Sequence, residues 1–282
     1  NSVALTIGTN AFHVDGLNVT SFKFANKNIT FEAGVFDIPA LTTIEIVGVE
    51  GQADLTGIVG LEYIKSSNVT TVILADSITS LQNNTTGAGL FENMTNLVSV
   101  IANSIVSVPN NTFKNCTSLQ NFTFENIKYI GDSAFYNCTS LNPTSNGELN
   151  LQNVVALGAQ AFYGMKNITS VVFGSALNSE QVEGITITIG EFDGTTFEGT
   201  SVTTYDFRAC SSLTTLKNFT NNTLVEEIYL SSSIVNIADN AFDGCTSLHT
   251  MNLDNVQTIG AYAFRNSAIA TVNMQALTTL GI

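Results

Sequence analysis

Eleven short stretches share one arrangement of apolar and polar positions: an apolar residue, two mostly polar ones, an apolar residue, one further residue and a third apolar one. Leu248-His249-Thr250-Met251-Asn252-Leu253 is a clear copy, and its last four positions alternate as a strand with one buried face does. The other copies begin at Val19, Leu41, Val69, Leu97, Leu119, Ile168, Val202, Val225, Ile269 and Leu277. The pattern predicts strands of one ladder.

A second pattern alternates with the first. It reads IGDSAF to Phe135, LGAQAF to Phe162, IADNAF to Phe242 and IGAYAF to Phe264, with a weaker VPNNTF to Phe113. The Gly after the first apolar residue suits a turn that needs positive φ. Ala before Phe fits a close backbone approach, and the Phe rings should stack into a spine. From Phe91 the anchors fall at 113, 135, 162, 197, 219, 242 and 264, so the steps are 22, 22, 27, 35, 22, 23 and 22 residues. The short steps set the coil and the two long ones mark insertions. In 142–158, Leu149 and Leu151 restore the missing strand; in 175–194, the alternation of Ile185, Thr186, Ile187, Thr188 and Ile189 predicts an extra or extended strand. Toward the N-terminus the pattern degrades, with Phe36 and Tyr63 as anchors 27 apart. We read 1–282 as a single domain: 1–62 degenerate capping repeats, as the end of a repeat array requires, and 63–282 repeats with the two insertions.

Cys116 and Cys138 follow their Phe anchors at the same position one coil apart, and Cys245 and Cys210 sit in similar surroundings. Side chains stacked in parallel have poor geometry for a bridge, so free thiols packed as small hydrophobes are expected.

The combination Ile-Gly-x-x-Ala-Phe-x-x-Cys-x-x-Leu, followed by x-x-Val-x-Leu at 22 or 23 residues, resembles the BspA-like (treponemal-type) leucine-rich repeats of bacterial and protist surface proteins. IGDSAFYNCTSL from Ile130, IADNAFDGCTSLHTMNL from Ile237 and IGAYAFRNSAIATVNM from Ile259 carry it. The resemblance covers roughly 36–282. It implies a leucine-rich-repeat solenoid of right-handed coils of about 22–23 residues, with a parallel β-sheet on one side and, on the other, a β-rich side with short turns or 3-10/helical segments. It also implies adhesion or recognition at a cell surface. Ser267 replaces Cys in the last full copy, Met165 and Gly199 are read into the same column, and the Pro common after the family's strand is nearly absent.

Composition narrows the reading. Hydrophobic residues make up 44% and charged residues 11%, so there is ample core and Asn, Thr and Ser must carry the polar surface. A net charge of −14 spread without blocks opposes phosphate binding and excludes the nucleic-acid class. No apolar run reaches the ~20 residues of a membrane-spanning helix. The chain starts at Asn1 with no leader, which is read as removed or trimmed. Asn-x-Ser/Thr triplets at Asn18, Asn28, Asn68, Asn83, Asn84, Asn93, Asn110, Asn115, Asn121, Asn137, Asn167, Asn218 and Asn221 would accept glycans on exposed turns in a eukaryotic secretory setting; chance in an Asn/Thr/Ser-rich chain is the other reading.

No catalytic constellation stands out. His13 and His249 are the only histidines, and no phosphate-binding loop or His-Glu-x-x-His occurs. Asp239 and Asp243 flank the Phe242 turn without matching a calcium loop, and neither metal nor cofactor is expected. Recognition on the sheet would use the middle residue of each strand: Lys23, Glu45, Ile73, Ile101, Thr123, Asn150, Val172, Asp206, Tyr229, Asn252 and Asn273. Asp206, Tyr229, Asn252 and Asn273 form the expected ligand-binding patch, Tyr being frequent in hot spots. The expected function is non-enzymatic recognition of a host or matrix protein or glycan, extracellular or at the cell surface. The rival is a structural spacer that self-associates through an open ladder edge at Ile282.

Overall fold

The computed structural model describes residues 4–9, 11–12, 18–49, 51–66, 68–81 and 88–281; His13, Asn83, Asn84 and Ile282 lie outside them. The chain is a parallel β-solenoid with almost no helix. On the sheet face, Ser21–Phe24, Thr43–Ile46, Thr71–Leu74 and Ser99–Ile101 form one run of strands. Glu148–Leu151, Ser170–Phe173, Thr204–Asp206, Glu227–Tyr229 and Thr250–Met251 form a second. The two-residue alternation works as expected: Ile44, Val72 and Val100 stand in register and are buried, as are Leu149 and Val171.

The two runs are separate because the stretch around Phe122 and Phe124 forms only an isolated bridge, Ser99 to Asn121, rather than the expected strand. Leu141 follows Cys138 as Leu119 follows Cys116, which places Pro143 opposite Asn121. A proline has no N–H for the ladder, and the chain detours until Glu148 before a strand resumes. The expected strand at 269–274 is also missing. Val272 is 44% exposed, and among the described residues no coil lies beyond it on that face. The last copy of the pattern belongs elsewhere, since Thr279–Leu280 pairs with Thr258–Ile259.

That pairing is part of a second ladder of short strands, which gives the β-rich other side its form. It runs through Leu5–Ile7, Ile29–Phe31 and Ile58–Val59, then Ser107–Val108, Tyr129–Ile130 and Ala156–Leu157, then Glu191–Asp193, Thr215–Lys217, Asn236–Ile237, Thr258–Ile259 and Thr279–Leu280. At the second break residues 185–189 form no strand. They lie across earlier coils instead: Thr186 N–H donates to Asp132 Oδ1 (2.9 Å), Asn110 Nδ2 to Gly184 O (2.6 Å) and Tyr129 Oη to Glu180 Oε1 (2.8 Å). Asn178, buried, joins the parts of the ladder on either side of this break, its Oδ1 accepting from Leu157 N–H and its Nδ2 donating to Glu191 O. A side-chain amide thus substitutes for a strand.

The third side carries the Phe turns. Phe91, Phe113, Phe135, Phe162 and Phe197 stack at centroid distances of 5.4, 5.2, 5.4 and 5.1 Å, and Phe219, Phe242 and Phe264 at 4.9 and 5.5 Å. Each spine step is tied by backbone, as in Phe113 N–H to Ala134 O and Phe135 N–H to Ala161 O, both 2.8 Å. The glycines after the apolar residue serve close approach rather than positive φ. A Cβ on Gly131 would lie 2.4 Å from Asn110 N, and one on Gly260 2.4 Å from Asp239 N. Positive φ falls at two other places in the turn, as at Ser133 and Asn137. The Asn93–Asn115–Asn137 column forms a side-chain ladder there, with Nδ2 to Oδ1 distances of 2.9 and 3.2 Å.

At the N-terminal end Phe36 is fully buried, but Tyr63 is 38% exposed and Ile64 takes the interior position. All four thiols are free and buried. The Cys116, Cys138 and Cys245 thiols donate to the carbonyls of Phe91, Phe113 and Phe219 in the preceding coils. Thr200, not Gly199, shares their column: it follows Phe197 as Cys138 follows Phe135, and Gly199 aligns with Gly164 and Asn137.

Candidate recognition surface

Register alone brings Asp206 and Tyr229 together, since they are paired positions of adjacent strands. Asp206 leaves its strand pointing to solvent, and two residues on the chain turns so that Arg208 comes back over it. The guanidinium grips the carboxylate at two points, Nε to Oδ1 at 2.9 Å and Nη2 to Oδ2 at 2.6 Å, and its Cζ lies 5.0 Å from the centre of the Tyr229 ring. Tyr229 Oη donates to Glu227 Oε2 at 2.8 Å on the same strand. The cluster is therefore a fixed guanidinium between a carboxylate and an aromatic ring, an arrangement that holds Arg in one orientation.

Its electrostatics follow from these contacts. Hydrogen bonding by Arg208 holds the Asp206 carboxyl below the usual range, and the same bond raises the Arg208 guanidinium. The hydrogen bond to Glu227 raises the Tyr229 phenol, which stays protonated near neutrality. The Arg208 side chain remains 67% exposed, so the ion pair itself adds little stability while its cation stays open to a partner.

Asn252 follows Tyr229 in register but folds onto its own chain, Oδ1 accepting from Asp254 N–H. Asn273 stands exposed in the segment that forms no strand, apart from the other three. Arg208 and Glu227 were missed from sequence. Arg208 lies outside the strand's alternation; its signal was a basic residue two places after Asp206 in a chain with only nine Lys and Arg.

The sheet face has a second feature two strands away, about 10 Å at ladder spacing. The break before Glu148–Leu151 opens a cleft of about 460 Å³, with Phe122 and Phe124 at its base and Glu125, Glu148, Asn150 and Gln152 around it.

Among the glycan candidates, several amide nitrogens are engaged in folding. Asn115 and Asn137 donate within the ladder above, Asn110 to Gly184, Asn68 to Pro39, Asn167 to Thr139 and Asn218 to Asp193. Asn18, Asn28, Asn93, Asn121 and Asn221 are exposed. Asp239 and Asp243 tie coils: Asp239 accepts from Ala261 N–H, and Asp243 is held by Arg265 and Asn266. His249, exposed, lies 3.0 Å from Ser247 O. Among the described residues no helix is long and apolar enough to cross a membrane.

The family described as BspA type leucine rich repeat region matches in six copies, over residues 56–185 and 183–281. A leucine rich cell surface protein of Faecalibacterium prausnitzii is similar at 13% identity, covering 94% of this chain and 90% of that one, with a TM-score of 0.42. A leucine-rich repeat protein of Eubacterium ventriosum is similar at 15% identity, 94% and 89% coverage and a TM-score of 0.42. The leucine-rich repeat protein of T. pallidum is similar at 14% identity, 81% and 83% coverage and a TM-score of 0.36. No curated protein matches.

Proposed function

Because the chain belongs to the BspA-type leucine-rich-repeat family, we propose that it acts without catalysis at a cell surface, binding a protein or glycan partner through its sheet face. The observation that carries this reading is the Asp206–Arg208–Tyr229–Glu227 cluster, an exposed cation already oriented by its neighbours. Ordering an Arg side chain on binding costs roughly 0.5–1.5 kcal/mol, and a held guanidinium avoids most of that. Arg and Tyr are also the residues that most often dominate binding energy. The net charge of −14 favours a partner that is cationic or neutral overall.

The test is binding of the whole chain to intact host cells, matrix proteins and arrayed glycans, beside the Tyr229→Ala/Asp206→Ala variant. Binding near micromolar that weakens at least about tenfold in the variant is expected. No binding at that concentration, or binding indifferent to the variant, overturns the reading. Concentration-dependent association of the chain alone in sedimentation, with no other binding, would favour the spacer role.

A further inference from the structure

The turn side holds one place where the spine does not continue. Phe197 is stacked on Phe162, and Phe219 on Phe242, but Phe197 and Phe219 do not stack on each other. Two rings from elsewhere stand between them. Phe192 lies 6.4 Å from Phe197 and 5.9 Å from Phe219, and Tyr205 lies edge-on to both at 5.9 and 5.2 Å. Tyr205 occupies a sheet position that holds Val171 and Ile228 in the flanking strands, so its extra length crosses the core and wedges the turns apart.

The wedge has a hydrogen-bond consequence. In the neighbouring coils the residue two after the spine Phe donates its N–H to the next coil: Asn137 to Tyr163 O, Gly164 to Glu198 O, Asn221 to Asp243 O and Gly244 to Arg265 O, at 2.7–2.9 Å. The corresponding pair, Gly199 N–H and Thr220 O, is not made, and both residues are exposed. Between them opens a cavity of about 480 Å³. A donor and an acceptor that pair everywhere else in the ladder thus face one space.

The walls say what chemistry fits. Thr223 supplies a hydroxyl, and Asn222, whose Oδ1 is taken by Leu224 and Val225 N–H, supplies its Nδ2 as a donor; the Thr195 and Thr200 hydroxyls already donate to Asp193 Oδ1 and Phe197 O, which leaves the Thr195 oxygen as an acceptor. Leu224 is 48% exposed at the rim, one apolar contact among polar ones. Below Thr200 the Tyr205 hydroxyl is buried beside the Thr200 side chain without a well-formed hydrogen bond, a situation that a native structure rarely leaves unmet. An acetamide reproduces the absent peptide unit, offering one C=O and one N–H on opposite sides with a methyl beside them. A ring of hydroxyls beside it matches the Thr223 hydroxyl, the Asn222 Nδ2 donor and the Thr195 oxygen as acceptor. We propose that this cavity binds the acetamido group of a neutral N-acetylhexosamine, Gly199 N–H donating to the acetamide oxygen and Thr220 O accepting from its N–H. Glu198 at the wall opposes an acidic sugar. The site is separate from the Arg208 cluster, and its occupancy does not depend on that surface.

Amide exchange and ¹⁵N-resolved NMR of the whole chain test the assignment. In the free protein Gly199 should exchange fast while Gly164 and Gly244 are protected; equal protection overturns the open ladder. With N-acetylglucosamine as probe, a saturable shift of Gly199 at millimolar concentration is expected, with slowed exchange. Glucose, lacking the acetamide, should bind at least about tenfold more weakly, the ~1.4 kcal/mol of two neutral hydrogen bonds. Thr223→Trp, which fills the cavity from an exposed position, should abolish the shift, whereas Tyr229→Ala should leave it intact. No saturable shift, an equal response to glucose, or tighter binding of N-acetylglycine N-methylamide than of the sugar each overturns the proposal, the last in favour of a peptide.

Discussion

A thiol in this chain is a hydrogen-bond donor before it is anything else. Burial pushes Cys116 and Cys210 up to about 12 and Cys245 to about 11, and Cys138 well above its ordinary value. In Cys116, Cys138 and Cys245 the protonated form is the one that donates to a Phe carbonyl of the preceding coil. Because the folded values lie above the unfolded one, near 8.5, the thiols' contribution is fully present below that pH and fades as pH rises through the folded values. Denaturant unfolding at a series of pH values should show stability falling above about pH 8.5, each buried thiol adding a slope of about 1.4 kcal/mol per unit. Cys138→Ser should flatten that limb; an unchanged limb would show that the thiol ionises freely in the fold. The packing role was legible in sequence because Cys116 and Cys138 repeat one position of a repeat. The glycine role was not: that Gly131 yields to a neighbouring coil is set by a contact 21 residues away, which a local turn rule does not contain.

At the scale of the element, the spine stiffens the repeat. Phe135 is fully buried, stacked on Phe113 and Phe162 and edge-on to Phe122. Phe135→Ala should cost roughly 3–5 kcal/mol, as aromatic truncations in closed cores do, read as a shifted denaturant midpoint at constant slope. A loss below about 1 kcal/mol would mean that the ring is not enclosed as described. Spine and sheet strands were both visible in the sequence, because a period near 22 residues makes each coil vouch for the next. The second ladder was less visible: its strands are two or three residues long, too short for alternation to register. The 185–189 run alternates well yet pairs with nothing, because Asp132 and its neighbours hold it across other coils. Alternation specifies which face a segment can bury, and pairing depends on what lies alongside.

At the scale of the molecule, the solenoid is open in two places, one on the sheet face at the first insertion and one on the turn side where Tyr205 stands between Phe197 and Phe219. The spacing could show the first but not the second, since the step from Phe197 to Phe219 is a regular 22 residues, and it could show the chemistry of neither. The sequence singled out Tyr229 and Asp206 and missed the Arg208 that binds them together, and nothing in the strand pattern foretold that Tyr205 would part the turns. In a linear array each coil is held mainly by its neighbours, so the junction at Tyr205 couples the coils before it to those after it. Four aromatic rings, Phe192, Phe197, Phe207 and Phe219, meet its side chain. Tyr205→Phe removes a buried hydroxyl that has no well-formed hydrogen bond beside Thr200 and should stabilise the fold by about 1 kcal/mol, raising Tm by about 2 °C. Tyr205→Ala instead empties the junction and should cost roughly 3–5 kcal/mol, and calorimetry should then resolve two transitions where the parent shows one. If Tyr205→Phe destabilises, the hydroxyl has a partner in solution; if Tyr205→Ala still unfolds in one step, the coupling runs through the backbone ladders and not through this ring.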